Sequence, residues 1–269
     1  MLIIGEKINA SRANIAKMVK KRNKEFFQKL ALEQIGSGAM MLDINAGTFR
    51  EDEAGHMKWL IQTVQEVVDV PLCIDSSNNR VIMEGLNVYD WSAGKPLINS
   101  VTCEKEKLDS ILPLVKKYQC SVIALAMDKN GIPNEPSGRI KIVENLLREF
   151  TSRDVSLEKL YMDPLVLPVG ANIDNGKISL EVLKRIKELH PDIKTIMGLS
   201  NISYGLPERK LINQSFCIMS MHLGLDAVIL DSTDQKMMNL MRATNVLLGK
   251  DNYCLEYLNA FREGLFKNN

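Results

Sequence analysis

Short apolar runs alternate with amphipathic stretches along nearly the whole chain. Met1 to Ile4 is the first run and gives way to Gly5-Glu-Lys-Ile-Asn9. From Asn23 to Ile35 the apolar positions recur at helical spacing, with Phe26, Phe27, Leu30 and Ile35 near one face. Ala39 to Asn45 reads as a second strand that ends in Asp43 and Asn45. Met57, Leu60, Ile61, Val64, Val67 and Val68 fall on one face of a helix. Pro71 to Asp75 is a third strand, Asn79 to Leu86 a short helix, and Pro96 to Ser100 a fourth strand ending in an amide.

The same rhythm continues. Glu104 to Tyr118 predicts a helix that Pro113 would bend. Ser121 to Met127 is a strand followed by Asp128, and Arg139 to Phe150 a helix. Leu160 to Asp163 is a strand stopped by Pro164, and Ser179 is the expected N-cap of a helix to Leu189. Ile193 to Ser200, Pro207 to Leu223 and Asp226 to Asp231 form a strand, a helix with proline near its first turn, and a strand. Helices over Lys236 to Leu248 and Tyr253 to Leu265 close the chain.

Strict β/α alternation requires a parallel sheet with helical crossovers. Eight such units in 269 residues predict an α/β fold, a (β/α)8 TIM barrel, as a single domain spanning 1–269. An open doubly wound sheet is the alternative, but no early G-x-G-x-x-G turn supports it.

Composition narrows the function. A net charge of +1 gives no electrostatic basis for nucleic acid or an anionic membrane. No apolar run approaches the roughly 20 residues of a membrane span, and the first residues lack a signal-peptide leader. The five cysteines are scattered, without C-x-x-C, as expected of reduced thiols in a cytoplasmic protein. Three separated histidines argue against a His-based metal centre or acid–base pair.

In a barrel the site lies where the strands end. Those ends carry Asn9, Asp43 with Asn45, Asp75, Asn99, Asp128, Asp163, Ser200 with Asn201, and Asp231. One Asp or Asn after a strand is ordinary turn chemistry. Eight strand ends on one rim call for something that satisfies them. Carboxylates and amides match a flat heterocycle whose edge presents adjacent N–H and C=O groups, such as a pterin or purine. Mg²⁺ is the competing ligand for an acidic rim. It ranks lower, because no strand offers two carboxylates at ligand spacing, and the reading is that the chain binds no metal.

Several short motifs, in this order and at barrel spacing, carry a family resemblance. They are Gly5-Glu-Lys-Ile-Asn9, Leu42-Asp-Ile-Asn45, Cys73-Ile-Asp-Ser76, Ile98-Asn-Ser100, Met127 with Gly131-Ile-Pro133, Met162-Asp-Pro-Leu165, Gly198-Leu-Ser-Asn201 and Leu211-Ile-Asn213. The chain resembles the methyltetrahydrofolate:corrinoid protein methyltransferases, within the pterin-binding family that includes dihydropteroate synthase and the folate domain of cobalamin-dependent methionine synthase. The resemblance implies that Asp75, Asn99 and Asp163 bind the pterin edge and that Asn201 sits near N5 as the catalytic amide. It places Asp43, Asn45, Gly198 and Ser200 around the pocket and makes Arg209 a candidate for the folate glutamate tail.

It further implies 5-methyltetrahydrofolate or tetrahydrofolate as substrate and a homodimer. The corrinoid (cobalamin) would be supplied by a partner, an iron–sulfur corrinoid protein or a small corrinoid protein of a demethylase system. The basic run of Arg12, Lys17, Lys20, Lys21, Arg22 and Lys24 is a candidate dock for an acidic partner or a polyglutamate tail, against the simpler reading of a solvated helix face. Two alternatives stand beside this function, a dihydropteroate synthase-like transferase and a non-catalytic folate-binding barrel. The synthase is disfavoured by Asp128, where it carries His, and by the last strand ending Ile229-Leu-Asp-Ser-Thr233 rather than in a basic pattern.

Overall fold

A computed structural model describes residues 1–266. The strands are β1 (Leu2–Asn9), β2 (Met41–Asn45), β3 (Leu72–Asp75), β4 (Leu97–Val101), β5 (Ser121–Leu125), β6 (Leu160–Asp163), β7 (Lys194–Gly198) and β8 (Ala227–Leu230). They pair in chain order, every pair parallel, and β8 returns to β1 to close the barrel. The helices are α1 (Ala13–Lys20), α2 (Lys24–Gly36), α3 (Glu53–Gln65), α4 (Asn79–Val88), α5 (Lys105–Tyr118), α6 (Pro136–Ser152), α7 (Asn175–Leu189), α8 (Arg209–His222), α9 (Gln235–Leu247) and α10 (Leu255–Arg262). The predicted (β/α)8 barrel is the observed fold. The expected domain span of 1–269 ends in three residues outside those described. Among the described residues no helix is long and apolar enough to cross a membrane.

Strand alternation decides what the barrel encloses. Successive side chains point to opposite faces, so residues two apart share a face. Ile4, Met41, Cys73, Leu97, Ile123, Ile196 and Ala227 point inward and form an apolar plug. Their neighbours Leu42, Ile44, Leu72, Ile74, Ile98, Val122 and Met162 point outward and pack into the main core with the helices. Each such buried side chain contributes about 1.5–3 kcal/mol relative to exposure. Moving two residues on from the plug reaches Asp43, Asp75 and Asn99, the next inward layer. Register sets Asp75 level with Asn45 and Asn99, while Asp43 lies level with Cys73, one step deeper in the barrel.

Several boundaries differ from expectation. β1 runs past the apolar stretch Met1 to Ile4 as far as Asn9, the expected strand end, with a register shift between Gly5 and Ile8. The Lys7 N–H left out of the ladder donates to Gln34 Oε1 of α2 at 2.9 Å. Helix α1 lies in the basic run read as a solvated helix face, and apolar periodicity gives it no bounds, since only Ile15 and Val19 of its eight residues are buried. Ser179 is not an N-cap. α7 begins at Asn175, and the buried Ser179 hydroxyl donates to Leu165 O (2.8 Å) and Asn175 O (3.0 Å). α5 continues through Pro113. Pro207 lies outside α8, which starts after a left-handed Glu208. Left-handed Tyr253 and Cys254 delay the last helix to Leu255.

Candidate functional site

At the C-terminal ends of the strands the barrel opens into a cavity of about 560 Å³, within the usual range for small-molecule sites. The cavity receives Asp43, Asp75, Asn99, Asp163, Gly198, Ser200, Asn201 and Arg209. Asn45 does not line it, but its amide donates to Asp75 Oδ2 at 2.7 Å while its own Oδ1 accepts the Gly47 N–H at 3.0 Å. The Asn99 amide donates to Asp43 Oδ1 at 3.4 Å. Leu165 N–H donates to Asp163 Oδ1 at 2.8 Å. So each predicted pocket residue either faces the cavity or holds one that does.

The acids are held in unfavourable surroundings. Burial pushes Asp163 up to about 7, against the pull of the Leu165 N–H and the Arg139 charge. Burial likewise raises Asp75 to about 6, offset in part by the Asn45 amide and reinforced by Glu53. Asp43 is raised well above the ordinary carboxyl range by burial and then by the nearby Asp75. Beneath them the Cys73 thiol is also raised, by burial and by the charges of Asp43 and Asp75, and stays protonated. A ligand that brings N–H donors would relieve this, because hydrogen bonds to the ionised form favour it.

Asn201 lies at the lip of the cavity in a short 3-10 turn, Leu199–Ser203, directly after β7. It is exposed, and among the described residues its side-chain amide has no protein partner. A Cβ at Gly198 would come 3.2 Å from Asn201 Nδ2, so the glycine makes room for the amide. Arg209 bonds back to this turn, Nε to Ser203 Oγ at 3.0 Å and Nη2 to Ser200 O at 2.7 Å. Its guanidinium lies over the Tyr204 ring, 5.9 Å from the centroid.

Two site residues escaped the sequence reading. Glu6 enters the cavity from β1 and accepts from Arg12 Nη2 at 2.5 Å, with the Ser200 hydroxyl as a second partner. Burial raises the Glu6 carboxyl, and Arg12 and Ser200 lower it. The signal was present, for Glu6 is two residues beyond inward Ile4 on the same face. Arg12 therefore belongs to the cavity, not to the basic surface formed by exposed Lys17, Lys20, Lys21, Arg22 and Lys24.

The predicted ring of strand-end residues is incomplete on two strands. β5 stops at Leu125, and Asp128 instead closes a turn with Gly131, away from the mouth. Asp231 Oδ1 is engaged by the Thr233 N–H (3.0 Å) and hydroxyl (2.6 Å), and it lines a side cavity of about 370 Å³ shared with Glu6, Arg12 and Arg209. Asn9 does face the mouth, with its Oδ1 accepting the Ser11 N–H.

Comparison with known proteins follows the same lines. The chain is 35% identical over 266 residues to a methylcorrinoid:tetrahydrofolate methyltransferase of Eubacterium limosum, covering 98% of this chain and 97% of that one. It is 28% identical to methionine synthase of Mycobacterium tuberculosis over 89% of this chain, which spans only 21% of that protein. The fold is like that of dihydropteroate synthase from Xanthomonas albilineans, solved with 7,8-dihydropteroate, at a TM-score of 0.68 and 17% identity over 91% of this chain and 93% of that one. The sequence pattern of the family described as pterin binding enzyme matches residues 5–231, from β1 to the end of β8. The chain belongs to the pterin binding enzyme family.

Proposed function

We propose that this protein is a methyltransferase that moves a methyl group between N5 of tetrahydrofolate and the cobalt of a corrinoid carried by a separate protein. One observation carries the reading. A layer of Asp and Asn side chains on β2, β3, β4 and β6, Asp43 buried and the others half-buried, shares a cavity with an amide at its lip, Asn201, that has no protein partner among the described residues. This occurs in a chain aligned over nearly its full length with the Eubacterium limosum enzyme. Asp75, Asn99 and Asp163 take the N–H and C=O edge of the pterin. Asp43 and Asn45 support them, and Gly198 and Ser200 shape the wall. Arg209, at the mouth beside Tyr204, meets the glutamate tail.

A methyl group leaves a tertiary amine poorly, because the departing nitrogen would be an anion. A proton on N5 makes it a neutral leaving group. Asn201 presents an acceptor oxygen to that N–H, and the proton comes from solvent at the open lip. A hydrogen bond to a charged group is worth about 1.5–3 kcal/mol. Realised in the transition state, it gives about ten- to a hundredfold in rate.

The relative's name writes the transfer from methylcorrinoid to tetrahydrofolate, and we take the same direction as physiological here. The partner is an iron–sulfur corrinoid protein or a small corrinoid protein of a demethylase system. The barrel, 1–269, works as one domain of a cytoplasmic homodimer.

The test is anaerobic. Protein mixed with methyltetrahydrofolate and cob(I)alamin should produce methylcobalamin, followed by absorbance. Asn201→Ala should slow this about ten- to a hundredfold with little change in folate affinity. Binding of folate without any transfer would leave a folate-binding barrel, and turnover of a pterin pyrophosphate with aminobenzoate would make it a synthase.

A further inference from the structure

Among the described residues Arg139 is the largest fully buried side chain. It sits in the first turn of α6, and its hydrogen bonds all go to backbone carbonyls. Nε donates to Pro133 O at 2.9 Å, and Nη1 donates to Pro164 O at 2.9 Å and Leu165 O at 2.7 Å. Nη2 is buried with no partner among the described residues. Carbonyls satisfy its donors but do not cancel its charge, and a buried cation is costly unless an opposite charge answers it. Arg139 forms no ion pair within 4 Å among the described residues, and its charge acts at longer range on Asp163, on the other side of the Pro164–Leu165 turn.

That turn is itself unusual. Leu165 has φ of 67°, a conformation that a non-glycine residue keeps only when its surroundings enforce it. Three bonds enforce it here. Arg139 Nη1 and Ser179 Oγ both donate to Leu165 O, and the Leu165 N–H donates to Asp163 Oδ1. Leu165 and Asp163 both line the cavity.

We infer that Arg139 is a positioning residue for pterin recognition: its guanidinium fastens the turn that aims Asp163 and backs that carboxylate with positive charge, in the ionised state that accepts pterin N–H groups. This rests on the proposed role of Asp163. The planar fork matters as well as the charge, because one nitrogen spans two successive carbonyls while another reaches Pro133.

The other ionisable groups at the mouth are Glu6 from β1 and Arg12 after it, Asp43 from β2, Asp75 from β3, and Tyr204 and Arg209 after β7. Burial raises the Glu6, Asp43 and Asp75 carboxyls as it raises Asp163. The informative quantity is therefore the difference between variant and parent profiles.

Tetrahydrofolate affinity is measured by titration from about pH 5 to 9 for the parent, Arg139→Met, Arg139→Lys and Asp163→Asn. Loss of the charge in Arg139→Met should move the midpoint of the affinity profile up by about one pH unit and weaken binding about tenfold near neutrality, with recovery at high pH. Arg139→Lys keeps the charge and loses the fork, so its midpoint should stay while affinity falls at every pH. A purely structural Arg139 would lower thermal stability without moving the midpoint. An unmoved midpoint in Arg139→Met overturns the assignment, as does parental affinity throughout in Arg139→Lys, which decides the matter if the Met variant does not fold. Parental binding by Asp163→Asn would instead remove Asp163 from pterin recognition, and the role of Arg139 with it.

Discussion

Asp163 sets charge against burial at the mouth of the barrel. Its carboxyl is raised to about 7 from an ordinary 3.8. Between those values the folded protein keeps a proton that the unfolded chain has released, so stability falls as pH rises from about 4 to 7. Asp163→Asn removes that liability. The variant should be more stable than the parent at about pH 8, by on the order of 1–2 kcal/mol, with the gain vanishing near pH 4; thermal unfolding at the two pH values checks it. The same variant should bind tetrahydrofolate more weakly, and parental affinity should rise with pH as Asp75 and then Asp163 ionise. Asp75, Asn99 and Asp163 were legible because each follows an apolar strand residue at a spacing of two. Arg139 was not. An arginine ahead of the apolar face of a helix looks like any solvated first-turn residue, and only the strand-6 turn folded over it makes it internal.

At the scale of elements, β1 was the hardest to read and is the most instructive. Gly5-Glu6-Lys7 interrupts the apolar run, so the apolar pattern stops at Ile4 although the strand end reads as Asn9. The structure continues it through a bulge, and a side chain from α2 closes the gap. Gly5 is required there, because a Cβ would sit 2.5 Å from Gln34 Oε1 and 3.1 Å from Leu42 Cδ2. Gly5→Ala should displace Gln34, leave the Lys7 N–H unpaired and cost about 1–3 kcal/mol. Urea unfolding of that variant beside Gln34→Leu, which leaves the same N–H unpaired, should show similar losses; a neutral Gly5→Ala would mean that the bulge does not depend on this contact. Both changes should also weaken the site by shifting Glu6. β5 errs the other way. Its apolar run to Met127 suggested a strand ending at Asp128, but the chain already turns after Leu125, where Met127 N–H donates back to Leu125 O at 2.7 Å. Apolar content alone did not reveal that turn.

For the whole molecule, strict alternation of strands and helices was sufficient to specify the barrel, because a closed parallel sheet is the arrangement that buries eight such units at this length. Association was not legible in the same way, since exposed apolar residues within helices resemble core positions. On neighbouring α8 and α9, Met219 is 52% exposed and Leu247 86% exposed, and such apolar surface supports the proposed homodimer. Leu247→Arg should shift the sedimentation of the protein from dimer to monomer with the barrel intact; a parent that sediments as a monomer at micromolar concentration would refute the pairing.

The outer packing of the barrel is divided. One apolar core supports β2 to β6, including Ile74, Ile98 and Met162 beside the residues proposed to hold the pterin edge. A second core supports β7 and β8, including Leu199 and Ile202 on either side of the Ser200–Asn201 pair. The proposed recognition of the heterocycle and the proposed handling of the methyl group thus rest on separate foundations. Within one continuous sheet, a substitution that loosens the packing under β7 and β8 should disturb the proposed apparatus at N5 while leaving the proposed grip on the ring in place.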